Sequence, residues 1–121
     1  MDTIDCADAS KSLICIAIYA RFRKKDGNYS CQLIFSRSKL VPDGMSTPRA
    51  ELFAANTNAH TGQVVKRAIG KYHKECFKLT DSQVTLHWLN NQNLPLKQWT
   101  RNRVVDILRF TNPIDWKYEK C

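Results

Sequence analysis

Small or apolar residues recur at Ala55, Ala59, Gly62, Val65 and Ile69, at spacings of three and four. That period predicts a helix with one buried stripe. Ser46-Thr47-Pro48-Arg49-Ala50-Glu51-Leu52 marks its start. Thr47 suits an N-cap, and Pro48 suits the first helical position, where a missing N–H costs nothing. Gly70 supplies the stop, so the helix is expected over 48–69. Gly62 weakens it by about 1 kcal/mol relative to Ala. With Ala55 and Ala59, however, it lets the helix lie close to a sheet. Glu51 heads the same stripe. It is either a first-turn acid favoured by the helix dipole or a charge with a partner, because burying an unpaired charge is costly.

Upstream, residues 3–8 read as a short strand and 9–12 as its turn. Residues 13–23 are β-rich and at first apolar on both faces, as in a central strand. Asp26-Gly27 signals a tight hairpin, and residues 29–36 return with Cys31, Leu33 and Phe35 on one face. Downstream, residues 76–80 form a strand ending at Asp81, and 82–90 a helix with Val84, Leu86, Trp88 and Leu89 apolar. Pro95 opens a further helix to about residue 110, with Trp99, Val104, Ile107 and Leu108 on its apolar side. Pro113 ends it, and residues 115–120 alternate as a half-buried strand with Trp116 and Tyr118 together. The order β-β-β-α-β-α-α-β predicts an α/β fold. Its five-stranded mixed sheet joins an antiparallel three-strand meander to right-handed α-β crossovers, with helices on its faces. One domain accounts for residues 1–121.

Composition narrows the function classes. A hydrophobic fraction of 43% and a charged fraction of 25% suit a globular protein. The longest apolar run, 13–20, is strand-sized, so no membrane partner is expected. The acidic start Met1-Asp2-Thr3-Ile4-Asp5 is unlike a signal peptide. Nineteen Lys and Arg against eleven Asp and Glu give +8, a balance that suits a polyanionic partner. The five cysteines lack regular spacing, so a reducing, intracellular setting (cytoplasmic or nuclear) and no disulfide-linked partner are expected. Cys15 and Cys31 lie in apolar runs and are expected to be buried as small hydrophobes. His73-x-x-Cys76 has metal half-site spacing, but no second ligand pair matches it.

Three carboxylates remain. Asp8 ends the first strand, Glu51 opens the long helix, and Asp81 ends the fourth strand. If those two strands are central neighbours, Asp8 and Asp81 lie side by side at their carboxyl ends, where open α/β sheets bind ligands. Clustered carboxylates raise one another's pKa values and coexist best around a cation. Hard oxygen donors suit Mg²⁺ or Mn²⁺. Two such ions about 4 Å apart activate a water and stabilise a leaving oxygen in phosphodiester hydrolysis.

Several motifs succeed one another along the chain: Asp8-Ala9-Ser10, Ser38-Lys39-x-Val41-Pro42, Thr47-Pro48-Arg49-x-Glu51-Leu52, Thr80-Asp81-Ser82, His87-Trp88-Leu89 and Asn102-Arg103-Val104. In this order they resemble the ribonuclease H-like domain of BEL/Pao-type retrotransposon pol polyproteins, over about residues 4–121. The resemblance implies a ribonuclease H-like fold, with Asp8, Glu51 and Asp81 as catalytic ligands of Mg²⁺ or Mn²⁺. It implies endonucleolytic hydrolysis of the RNA strand of an RNA–DNA hybrid and a parent chain fused to a reverse transcriptase. Ser10, Ser82 and Arg49 are its candidate nucleic-acid contacts; turn and N-cap chemistry is the simpler role for the two serines. Asp5 rivals Asp8 for the first position, but three residues away it faces the opposite side of a strand.

The chain departs from that family twice. Many members carry Gly seven residues after the first Asp, where Cys15 stands. Ribonucleases H usually take a fourth carboxylate from a segment after the fifth strand. Asp106, Asp115 and Glu119 are not at the matching position, and the last helix is expected to be missing. Weak or lost hydrolysis is therefore expected of this chain. The alternatives are a non-catalytic nucleic-acid-binding module and a decayed retrotransposon remnant.

Overall fold

The computed structural model describes residues 1–10, 12–91 and 93–119. Its strands are β1 (Asp2–Ala9), β2 (Leu13–Arg23), β3 (Tyr29–Leu40), β4 (Cys76–Thr80) and β5 (Trp116–Tyr118). Its helices are α1 (Thr47–Ile69), α2 (Gln83–Asn90) and α3 (Gln98–Phe110). The sheet runs β3-β2-β1-β4-β5. β1/β2 and β2/β3 are antiparallel, whereas β1/β4 and β4/β5 are parallel. The predicted α/β fold, with its meander and crossovers, is therefore present. β1 and β4 are central neighbours, as the reading of the carboxylates required.

Alternation sorts the strand residues into two faces. Asp5, Ala7, Ile14, Ile16, Ile18, Ala20, Lys78 and Thr80 are buried on one of them. α1 lies over β1 and β2 on that face, and α2 and α3 pack beside it. Asp8, Leu13 and Cys15 fall on the other face and are exposed. α1 is buried along two stripes. Ala54 joins Ala7, Ile14, Ile16 and Ile18 over the sheet. Leu52, Ala55 and Ala59 join Leu89, Val104, Ile107 and Trp116 from the other elements.

Local chemistry explains the boundaries, and it corrects some expectations. Ser46, not Thr47, is the N-cap of α1, without a side-chain cap bond. Gly70 ends it at φ 63°, its N–H bonded to the Lys66 carbonyl, in the left-handed region where glycine is favoured. α2 is capped as its sequence suggests: the Ser82 hydroxyl accepts from the Thr85 N–H at 3.1 Å. α3 starts at Gln98, three residues after Pro95, because Lys97 is extended at ψ 152°. β3 runs on to Leu40, and an irregularity at Ile18/Tyr19 sets Leu33 opposite Tyr19 but Phe35 opposite Ile18. A bulge of this kind reverses the facing of the residues beyond it, so Leu33 and Phe35 do not share a face. Cys15 and Cys31 are exposed rather than buried, because β3 is an edge strand and Cys15 sits on the open face. Cys15 Sγ lies 3.2 Å from Ser38 Oγ. Among the described residues no helix is long and apolar enough to cross a membrane.

Candidate functional site

The parallel pairing of β1 with β4 sets Ala7 opposite Thr80. The next residue in each case is an aspartate, so Asp8 and Asp81 stand side by side at the carboxyl ends of neighbouring strands. The two carboxyl groups act on each other electrostatically. Partial burial, above all, holds the Asp81 carboxyl above its ordinary range. The Asp8 charge, and then the Glu51 charge, push in the same direction. Asp8 Oδ1 also accepts from the Ala9 N–H at 2.8 Å.

Glu51 reaches this corner from α1. Because the helix begins at Thr47, Glu51 is its fifth residue and lies beyond the first turn, which holds no acid. The expected first-turn position is thus corrected, and the dipole loses its hold on this charge, since that effect fades within one turn. The side chain is half-buried.

The charges of Asp8 and Glu51, distant in sequence, thus both act on the Asp81 carboxyl. Carboxylate oxygens are the donor type that suits a hard divalent ion, and a cation would relieve the repulsion that Asp81 feels. The cluster is not closed, however. Among the described residues no group of three or more His, Cys, Asp or Glu is placed to hold a metal ion.

The nearby hydroxyls have local tasks. Ser10 Oγ donates to the Leu13 carbonyl at 3.1 Å and accepts from the Leu13 N–H at 3.1 Å, closing the β1–β2 turn. Ser82 is buried and caps α2. Arg49 lies over the Trp99 ring at 5.4 Å, and Arg103 over the same ring at 4.9 Å.

Asp5, the rival aspartate, faces α1 and pairs with Lys78, so it takes no part in this corner. His73 and Cys76 do not share a ligand: His73 Nε2 meets Thr3 Oγ1 at 2.9 Å, and Cys76 Sγ donates to Asp5 Oδ2 at 3.2 Å. Burial pushes the Cys76 thiol up to about 11. Asp106 accepts from Asn56 and pairs with His60, and Asp115 accepts from the Asn112 N–H.

Glu119 emerges in an unforeseen place. β5 pairs Tyr118 with Thr80, and the Glu119 N–H donates to the Thr80 carbonyl at 3.0 Å. Glu119 therefore joins Asp8 and Asp81 along the sheet's carboxyl edge, with its side chain exposed. Only the β4–β5 register reveals this, because nothing in the local sequence of Glu119 marks it.

Residues 2–82 match the family described as the Pao retrotransposon-like RNaseH-like domain. No curated protein matches the chain. Among solved structures, a Ppx/GppA family member from Aquifex aeolicus is similar at 14% identity and a TM-score of 0.34. That alignment covers 78% of this chain and 33% of the Aquifex chain, so the present chain spans about a third of its length.

Proposed function

Because the chain belongs to the Pao retrotransposon-like RNaseH-like family, we propose that Asp8, Glu51 and Asp81 hold Mg²⁺ or Mn²⁺ and act on the RNA strand of an RNA–DNA hybrid. The observation that carries this reading is the register that sets Asp8 and Asp81 one residue past the Ala7–Thr80 pair at the ends of neighbouring parallel strands, with the charges of Asp8 and Glu51 both raising the Asp81 carboxyl. In a retroelement polyprotein the domain would work beside a reverse transcriptase.

Each residue has a definable part. Asp8 and Asp81 present oxygens from a rigid sheet edge, and Glu51 adds a third donor from α1. When bound, the divalent ion supplies an activated water and charge stabilisation at the leaving oxygen. Lys and Arg side chains meet the phosphates, while 2′-hydroxyls across the wide minor groove distinguish RNA. Turnover by this chain is slow. Three carboxylates suffice for one divalent ion whose shell waters complete, whereas a second ion needs more negative charge. Misplacement of about 1 Å can cost roughly 10²-fold in rate.

The test is single-turnover cleavage of a labelled hybrid in Mg²⁺ and in Mn²⁺, with Asp81→Asn as the blank. Slow cleavage that disappears in the variant is expected. Cleavage that survives Asp81→Asn would remove this site from the chemistry. The unclosed cluster favours one second reading, a nucleic-acid-binding module without turnover. Salt-sensitive hybrid binding with no cleavage in either metal would establish it.

A further inference from the structure

A groove of about 320 Å³ lies between β3, α1 and α3. Arg37 and Lys39 line it from β3, Asn56 and His60 from α1, and Arg103 and Asp106 from α3. Asp106 is its one acid, against Arg37, Lys39 and Arg103. Asn56 Nδ2 donates to it at 2.9 Å, His60 Nε2 pairs with it, and an Arg109 nitrogen lies 3.9 Å away. Among the described residues Arg37, Lys39 and Arg103 have no carboxylate partner. The groove is therefore cationic in effect.

Two of these cations are also held in place. Lys39 Nζ lies 5.8 Å from the centre of the Phe53 ring, and the Arg103 guanidinium 4.9 Å from that of Trp99. Both side chains are half-buried, unlike a freely solvated surface lysine. Arg49 takes the other contact on Trp99, two residues before Glu51. The groove also lies near the carboxyl edge of the sheet: Ala9, next to Asp8, pairs with Ile14, and Ile14 pairs with Lys39.

We propose that this groove binds the phosphodiester backbone of a nucleic-acid strand whose neighbouring part lies at the carboxylate corner. The inference rests on the nucleic-acid reading above and adds a site that involves none of the three carboxylates. Guanidinium and ammonium groups suit phosphate oxygens, the guanidinium through paired N–H donors. Asn56 and the ring of His60 add polar groups along the wall. An acidic peptide offers the same sign of charge but not the regular phosphate spacing.

The experiment is fluorescence anisotropy of a labelled RNA–DNA hybrid in EDTA, across a salt series. Arg37→Ala with Lys39→Ala should weaken binding about tenfold and flatten the log–log salt slope by about 0.9 for each phosphate left without its cation. Arg37→Lys with Lys39→Arg should keep the slope. Lys24→Ala with Lys25→Ala, in the hairpin at the far end of β2, should change neither quantity. Thermal melting of each variant establishes that the fold persists. Unchanged affinity and slope in the Arg37/Lys39 alanine variant would overturn the proposal. Displacement of the hybrid by polyglutamate of equal charge would overturn it in favour of an acidic peptide. If Asp81-dependent cleavage fails while the alanine variant still weakens binding, the nuclease reading falls and the groove stands.

Discussion

Lys78 Nζ stands 2.5 Å from Asp5 Oδ2 beneath α1, with side-chain exposures of 4% and 1%. The two residues are register partners on β4 and β1. Nζ also donates to Asn58 O at 3.3 Å and Asn58 Oδ1 at 3.2 Å, and Asn58 Nδ2 donates to the Asp5 carbonyl at 3.3 Å. Among the described residues Asp5 Oδ1 has no partner. A buried ion pair contributes little net stability, because desolvation offsets attraction. It is far more selective about geometry. A one-residue slip between β1 and β4 would turn one partner to the other face. The same register carries Asp8 to Asp81 three residues further on, so the interior pair holds the alignment on which the candidate site depends.

Lys78→Met should cost about 3–5 kcal/mol, because it leaves a buried carboxylate without its counter-charge. Adding Asp5→Asn should restore part of that loss. Urea denaturation of the two single variants and the double variant measures the coupling. A Lys78→Met protein as stable as the parent would show that water or another donor reaches Asp5.

Gly62 lies in α1 directly over this pair. A Cβ there would collide with Lys78 Nζ and Asp5 Oδ2. An ammonium at the end of a flexible chain can usually move aside, but this one is pinned by its buried partners. Gly62→Ala should therefore destabilise by about 1–3 kcal/mol from overpacking, despite the ~1 kcal/mol gained in helix propensity. Urea denaturation decides the sign, and a net gain in stability would mean that the pair relaxes freely.

Acid stability should depend on Asp106. The Asn56 hydrogen bond, followed by His60 and Arg109, holds its carboxyl below the ordinary value of 3.8. A depressed folded pKa means that the unfolded chain binds the proton first. The contribution is complete above the unfolded value and is lost as pH falls through the folded one. Asp106→Asn should lower stability at neutral pH and flatten the acid limb below about pH 4. Denaturation midpoints measured across that range give the comparison; parallel curves would mean that Asp106 is not coupled to folding.

Much of this molecule is legible in its residues. The spacing from Ala55 to Ile69 reveals α1, Gly70 marks its end, and the motifs around Asp8 and Asp81 fall at the ends of neighbouring parallel strands. The illegible part is long-range. Lys78 occupies an inward position of β4, where its charge suggests solvent, and only Asp5 on another strand explains it. The groove likewise joins β3, α1 and α3, three segments with no shared motif. The facing of Leu33 and Phe35 departs from simple alternation because an irregular register leaves no trace in the hydrophobic pattern. Glu119 reaches the carboxyl edge through parallel pairing alone.

The carboxylate corner should place function and stability in opposition. Asp81 is held above its ordinary pKa by partial burial, Asp8 and Glu51, so its ionised form is disfavoured in the folded protein. In EDTA at neutral pH, Asp81→Asn removes one of three repelling charges and should raise the melting temperature, by a few degrees at most. A divalent ion reverses the balance. Ligand bound only by the folded state stabilises it by about 2.7 kcal/mol at a concentration one hundred times Kd. The parent protein should therefore melt later as Mg²⁺ or Mn²⁺ is added, and chelation should return it to its starting value. Asp81→Asn should respond much less, so that the order of the two proteins inverts between EDTA and saturating metal. Sodium at matched ionic strength controls for screening, which also relieves repulsion but without preference for a divalent ion. A parent protein whose melting temperature ignores both metals would leave Asp8, Glu51 and Asp81 as neighbours without a shared ligand. A variant that melts earlier in EDTA would show that Asp81 serves the fold in a way the repulsion does not capture.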